Sequence, residues 1–307
     1  MQGRVLKSTG SWYTVLTDDG KKFQCKIRGK LRLKSIKTTN PIAIGDIVNF
    51  DPESDNATGN ITSVVPRKNY IIRKSTNLSR EAHIIAANID QAMLMVTVDF
   101  PETSLVFIDR YLATAEAYQI PAILIFNKVD LFDGEFEEKL NYYLSIYSPL
   151  YPCYKTSANT GEGVDAIASI LEGRISLISG NSGVGKSSLI NRIEPTLKLK
   201  TSDISHYHLR GKHTTTFSEM FPLTNGGFII DTPGIKGFGL VDMDKREIFH
   251  FFPEIFKESS NCQYNNCTHD QEPGCAVKKS VEDGLINHSR YYSYLSILYD
   301  EENKYRI

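Results

Sequence analysis

Residues 175–193 read ISLISGNSGVGKSSLINRI, and the fold is decided there. An uncharged β-rich run, ISLIS, stops at a glycine. The octet Gly180-Asn181-Ser182-Gly183-Val184-Gly185-Lys186-Ser187 then satisfies G-x-x-x-x-G-K-S, and Ser187 and Ser188 open an apolar helical segment, SSLINRI. A strand, a glycine-rich turn and a helix in this order curl successive backbone N–H groups around phosphate oxygens, and the helix N-terminus adds a favourable dipole. In such a loop Lys186 bridges the β- and γ-phosphates and Ser187 ligates Mg²⁺. A nucleotide-binding α/β domain is expected.

Upstream, buried strands alternate with helices: QAMLMVTV, a helix from about Ser104 to Tyr118, AILIF, a helix near Glu135 to Tyr147, and YPCYKT. That alternation predicts a parallel sheet covered by helices. Asn127-Lys128-Val129-Asp130 follows the strand AILIF. A carboxylate at Asp130 can accept from both N1–H and the exocyclic amine of guanine, whereas adenine would leave it unpaired. Asn127 would brace the loop and reach the N7 edge, and the Lys128 stem would cover the ring. After the next strand, Thr156-Ser157-Ala158 resembles a loop whose backbone N–H meets the guanine 6-oxo group.

Downstream, GGFII runs into Asp231-Thr232-Pro233-Gly234, where Asp231 would hold a Mg²⁺-bound water and the Gly234 N–H would meet the γ-phosphate. Between these motifs lies the polar stretch Gly211-Lys212-His213-Thr214-Thr215-Thr216, the place for a switch loop with a Mg²⁺-ligating threonine, here taken as Thr215. Ordinary GTPases run from P-loop to switch, DxxG, NKxD and the Ser-Ala loop. In this chain NKVD and TSA come first, which implies a circular permutation that leaves sheet and site intact, because chain termini commonly lie close together at the surface.

The segment from Gly3 to Val65 consists of short alternating runs broken by Asp19-Gly20, Pro41 and Asp51-Pro52, the pattern of a small antiparallel barrel. An OB-type fold and an SH3-like barrel both fit. The formal net charge of −1 conceals a split: 15 Lys/Arg face 6 Asp/Glu in residues 1–80, and Lys21 to Lys37 carries eight basic residues with no acid. Such a stripe suits a phosphate backbone, or simply a solvated strand face.

Five cysteines are an odd number for a disulfide framework. Cys262-x4-Cys267-x-His269-x5-Cys275 supplies the Cys₃His set of a closed, structural Zn²⁺ site, while Cys25 and Cys153 read as ordinary thiols. Around the cluster lie an aromatic run from Ile248 to Phe256 and a polar helix expected from about Ser280 to Lys304. With 307 residues the chain exceeds one hydrophobic core. Three units are expected: a basic OB-like β-barrel over 1–70, a permuted α/β P-loop GTPase domain over 71–241, and a mainly helical zinc-binding unit over 242–307. No apolar run approaches bilayer length and MQGRVLKSTGSW carries no secretory signal, so a cytoplasmic address without membrane attachment is expected.

Together, the basic barrel, NKVD, TSA, GNSGVGKSS, GKHTTT, DTPG and the Cys/His cluster resemble the bacterial ribosome small-subunit-dependent GTPase A family over nearly the whole chain. The resemblance implies slow GTP hydrolysis stimulated by the 30S subunit, a part in late small-subunit maturation, and binding of 16S rRNA; a monomer is expected. Ile235 stands after DTPG where many GTPases have a glutamine to orient water. Slow intrinsic turnover follows, with His213 as the nominated substitute and Lys186 as the phosphate-neutralising group. The rival expectation is a GTP-regulated RNA-binding module in which hydrolysis is incidental.

Overall fold

The computed structural model describes residues 1–27, 41–53, 57–74, 82–199, 219–231 and 244–299. Five strands form the N-terminal barrel: β1 Gln2–Ser8, β2 Tyr13–Leu16, β3 Lys22–Ile27, β4 Ile47–Pro52 and β5 Thr58–Val64. β1 pairs antiparallel with both β2 and β4, β2 with β3, and β4 with β5, while β3 and β5 run parallel. This closed circuit with its one parallel contact is the OB type, not a meander of consecutive hairpins. Alternation drives it: Phe23 and Cys25 of β3 face inward between exposed Lys22 and Gln24, meeting Val5, Tyr13, Val15, Val48, Phe50 and Ile61. Asp46 is buried at the base of the barrel, where Arg67 pairs with it at 2.7 Å and the Ala43 N–H donates to it at 2.8 Å.

A hairpin follows, β6 Tyr70–Lys74 with β7 Ala82–Ala87, and then the α/β region begins. Its elements are β8 Gln91–Val96, α1 Leu105–Ala117, β9 Ala122–Asn127, α2 Glu135–Tyr147, β10 Cys153–Thr156, α3 Val164–Leu171, β11 Ile175–Ser179, α4 Lys186–Ile193, β12 Glu219–Pro222 and β13 Phe228–Asp231. They lie in the sheet in the order β10-β9-β8-β11-β13-β12, parallel except for β12. Every residue of β8, β9 and β11 is buried, as central parallel strands covered on both faces require. One face packs on α1 and α2 through Leu94, Leu112, Leu124 and Tyr143, and the other on α3 and α4 through Met93, Ile125, Ile167 and Leu189.

The chain winds from β8 toward β10, returns to β11 beside β8, and then winds the other way. A crevice opens at the carboxyl ends of the strands where the direction reverses, the usual ligand position in open α/β sheets. At the far edge β12 meets the barrel: Lys7 of β1 pairs with Glu219 and forms an ion pair of 2.9 Å.

The C-terminal elements are a 3-10 helix Lys245–Phe251, α5 Pro253–Ser259, α6 Ala276–Glu282 and α7 His288–Leu298. The single helix expected from Ser280 to Lys304 is two. Leu285 N and Ile286 N both donate to Ser280 O, turning the chain back, and the Asn287 side chain caps a new helix by accepting from Ser289 N at 2.9 Å. Helix α1 is buried on two sides, Tyr111, Leu112 and Ala115 against the sheet and Ala113 against the C-terminal core. Among the described residues no helix is long and apolar enough to cross a membrane.

Candidate active site and metal centre

Asn127, Thr156 and Ser179 end the parallel strands β9, β10 and β11, with β8 between β9 and β11, so NKVD, TSA and the glycine-rich loop all emerge at the crevice. The buried Asn127 ties them together. Its Nδ2 donates to Val184 O at 2.7 Å, and its Oδ1 accepts from Thr156 Oγ1 at 3.0 Å and Ala158 N at 3.3 Å. The octet turns as its glycines permit: Gly185 has φ of +99°, and a Cβ there would stand 2.3 Å from Asn127 Nδ2. Val184 anchors the turn in the core, and α4 starts at Lys186 with Ser187 and Ser188 in its first turn. The Lys186 ammonium folds back across the loop and donates to Gly180 O at 2.6 Å and Asn181 O at 2.8 Å. Ser182 and Gly183 form the loop tip, beside Pro101 from the segment after β8.

Lys128 adopts a left-handed conformation, φ 66°, and its ammonium donates to Phe100 O. Burial draws its pKa down. Asp130 sits in the 3-10 turn Val129–Leu131 with its carboxylate toward the TSA loop, accepting from Asn159 Nδ2 at 3.3 Å. Hydrogen bonding from Ser157, then from Asn159, holds this carboxyl below its ordinary range. Ser157 is buried, and its Oγ accepts from Thr160 N at 3.0 Å. Asp231 closes β13 opposite Ile178, at the carboxyl end shared with the glycine-rich loop. His213, Thr215 and Gly234 lie outside the described residues, as do Arg28, Lys30, Arg32, Lys34 and Lys37 of the basic stripe.

Two participants were missed by the motif reading. Asn159 reaches Asp130 only because the TSA loop turns back over NKVD. Phe100 is neither catalytic nor charged; its signal was its place directly after β8, at the reversal of strand order.

In the C-terminal region Cys262, Cys267, His269 and Cys275 bring their ligand atoms within 4.8 Å of one another. Cys262 Sγ lies 3.5 Å from His269 Nδ1 and 4.0 Å from Cys275 Sγ, and Cys275 Sγ lies 3.6 Å from the same nitrogen. A tetrahedron with Zn–S bonds of about 2.3 Å has edges of roughly 3.8 Å, so the four donors can hold a zinc ion. Burial lowers the His269 pKa, favouring the neutral imidazole that ligation needs. Three surrounding groups fix the loop. Glu272 accepts from the N–H groups of Thr268 and Asp270 at 2.7 and 3.0 Å, Tyr291 donates to His269 O at 2.7 Å, and Tyr294 donates to Thr268 O at 2.5 Å. Tyr291 and Tyr294 thus serve packing of the metal loop, while Tyr292 is exposed. His250 packs between Phe249 and Phe256.

The comparisons with known proteins agree with this geometry. Residues 64–241 match the RsgA GTPase family and residues 2–61 the RsgA N-terminal domain. A small ribosomal subunit biogenesis GTPase RsgA of Bacteroides fragilis is 59% identical over 308 residues, covering 100% of this chain and 99% of that one. The crystal structure of YjeQ from Thermotoga maritima superposes with a TM-score of 0.81 at 36% identity, over 97% of each chain. That of YloQ, a circularly permuted GTPase, gives 0.74 at 29% identity over 97% of this chain and 93% of that one. With the fold, the permuted order and the full-length match in agreement, the chain is a GTPase that belongs to the RsgA GTPase family.

Proposed function

We propose that this GTPase serves in biogenesis of the small ribosomal subunit, using its nucleotide state to control residence on the particle. The 59% identical relative is a small ribosomal subunit biogenesis GTPase, which supports the reading, and so does the tethering of the barrel's β1 to β12 at the sheet edge. The observation that carries the nucleotide part is the three-loop junction at Asn127, which brings base-reading and phosphate-gripping segments into one crevice.

On this reading the N–H groups from Gly180 to Ser188, with Asn181, Ser182, Gly183, Val184 and Gly185 between, line the phosphates, and Lys186 leaves its two carbonyls for the β- and γ-phosphate oxygens. Asp130 takes the two guanine donors, the backbone of the loop that begins at Ser157 and Ala158 meets the 6-oxo group, Lys128 covers the ring and Asn127 braces all three. Ser187, Thr215 and Asp231 would hold Mg²⁺, which would neutralise phosphate charge. Hydrolysis is an in-line attack of water on the γ-phosphorus with loss of GDP, the Gly234 N–H meeting the γ-phosphate and His213 orienting the water. Because Ile235 offers no hydrogen bond, the free protein turns over slowly and the 30S subunit accelerates it. The Cys₃His loop holds a structural zinc. Residues 1–70 contact 16S rRNA through the basic barrel, 71–241 form the GTPase unit and 242–307 the zinc unit, in a cytoplasmic monomer.

The test is steady-state GTP turnover with and without purified 30S subunits. Stimulation by about tenfold or more is expected, in line with general acid–base and positioning contributions. Equal rates in both conditions would reject the ribosome-coupled reading and favour an RNA-binding module with incidental hydrolysis.

A further inference from the structure

The helix that opens with the phosphate-gripping loop ends on the base-reading loop. Arg192, in the last turn of α4, turns its guanidinium onto three consecutive carbonyls: Nη1 donates to Ala158 O at 3.0 Å and Asn159 O at 2.9 Å, and Nη2 to Thr160 O at 3.2 Å. A planar guanidinium offers its donors in a fixed fork, so satisfying three successive carbonyls fixes the orientation of the peptides that bear them. In a trans peptide the N–H points opposite to the C=O. The N–H of Asn159 is therefore directed away from Arg192, and the neighbouring Ala158 N–H is already turned to Asn127 Oδ1. Gly161 completes the fit. It has φ of +98°, and a Cβ there would lie 2.5 Å from Arg192 Nη2.

We infer that Arg192 is a positioning residue for guanine recognition, holding residues 157–161 so that the Asn159 N–H, directed away from the clamp, meets the 6-oxo group. The inference rests on the guanine-site reading above. Asn159, whose side chain reaches Asp130, belongs to the same clamped turn, so the clamp sets both sides of the base pocket at once. The positive charge also sits favourably at the negative end of α4. Because Arg192 itself is exposed, the expected effect is moderate.

The experiment compares the full chain with its Arg192→Ala variant. Affinities for GDP and for 2-aminopurine riboside 5′-diphosphate, which lacks the 6-oxo group, are measured by competition up to millimolar concentration. GDP affinity is expected to fall about fivefold and that for the analogue by less than about twofold. Amide hydrogen exchange is expected to rise across 157–163 and to stay unchanged across 180–188. An unchanged GDP affinity, equal losses for both nucleotides, or exchange that rises equally in both segments would overturn the inference. A wild-type chain that fails to bind GDP would instead strike the guanine reading on which it stands.

Discussion

The nucleotide crevice and the seam between α1 and the C-terminal helices are both held by polar side chains, in opposite ways. At the crevice the groups come as contiguous words, NKVD, TSA and the glycine-rich octet, and one asparagine links them. At the seam they come as single residues from separate elements. Arg290 of α7, about 1% exposed, donates to Asp109 of α1 at 2.9 Å and to both oxygens of Glu254 in α5 at 2.6 and 3.1 Å, while its guanidinium lies over the Phe252 ring at 4.7 Å. Tyr147 donates to the same Asp109 oxygen at 2.8 Å. Burial pushes the Asp109 carboxyl upward against the pull of Arg290. The guanidinium is held well above its ordinary value, because Asp109 and Glu254 outweigh the burial that opposes its charge. Ligand loops work through backbone N–H groups and need local spacing. A buried charge needs partners from every side, and those are scattered along the chain.

The largest effect expected on the seam side comes from zinc. The loop from Cys262 to Cys275 separates α5 from α6 and has little apolar packing of its own, so the metal is expected to supply much of its order. Stripping zinc with a strong chelator should lower the thermal midpoint by about 10 °C or more and release one zinc per chain. A metal-free chain melting like the loaded one would show that the seam stands without its metal loop.

Next comes the seam itself. Arg290→Ala leaves Asp109 and Glu254 facing each other without a cation, and breaking a buried pair in this way costs about 3–5 kcal/mol. Denaturant unfolding measures it. Replacing all three by apolar residues of similar volume, Asp109→Leu, Glu254→Leu and Arg290→Met, should recover most of that loss, since burying the charges was itself costly. If the triple variant is as unstable as Arg290→Ala, the seam depends on the ion network in a way the crevice does not.

That contrast explains what was legible beforehand. The sheet could be read because β8, β9 and β11 are uninterrupted apolar runs, and the permuted order because each motif sits directly after its strand. The metal set was readable from spacing alone. Arg290 was not, since nothing near it in sequence announces Asp109, 181 residues away. Arg192 was hidden for a different reason: its partners are carbonyls, which no sequence pattern marks. The break in the last helix left a local signal in Asn287, a good N-cap residue, which the polar periodicity around it masked. The barrel type needed the parallel β3–β5 contact, a long-range pairing that alternation does not encode.

The smallest of these effects in stability is the sharpest in specificity. Asp130 is exposed enough that Asp130→Asn should leave folding nearly unchanged, and its place is at the crevice. In the free protein the carboxylate accepts from Asn159 Nδ2, a donor standing where a guanine amine would arrive. An amide at position 130 presents a donor as well as an acceptor, so one of the two guanine hydrogens meets another hydrogen. GDP affinity should fall about 100-fold, near the cost of an unpaired buried group together with a lost charge-assisted bond. Xanthosine diphosphate carries an oxygen at C2 and should gain over GDP in the same variant. Because the Ser157 and Asn159 hydrogen bonds hold the wild-type carboxyl below its ordinary range, the guanine preference should survive as pH falls to the usual aspartate pKa and fade only below it. Isothermal titration of both nucleotides from about pH 7 down to about pH 3 reads the two effects together. A variant that keeps its GDP affinity would mean that the contiguous words do not read the base, and that the crevice, like the seam, is governed by residues the motifs do not name.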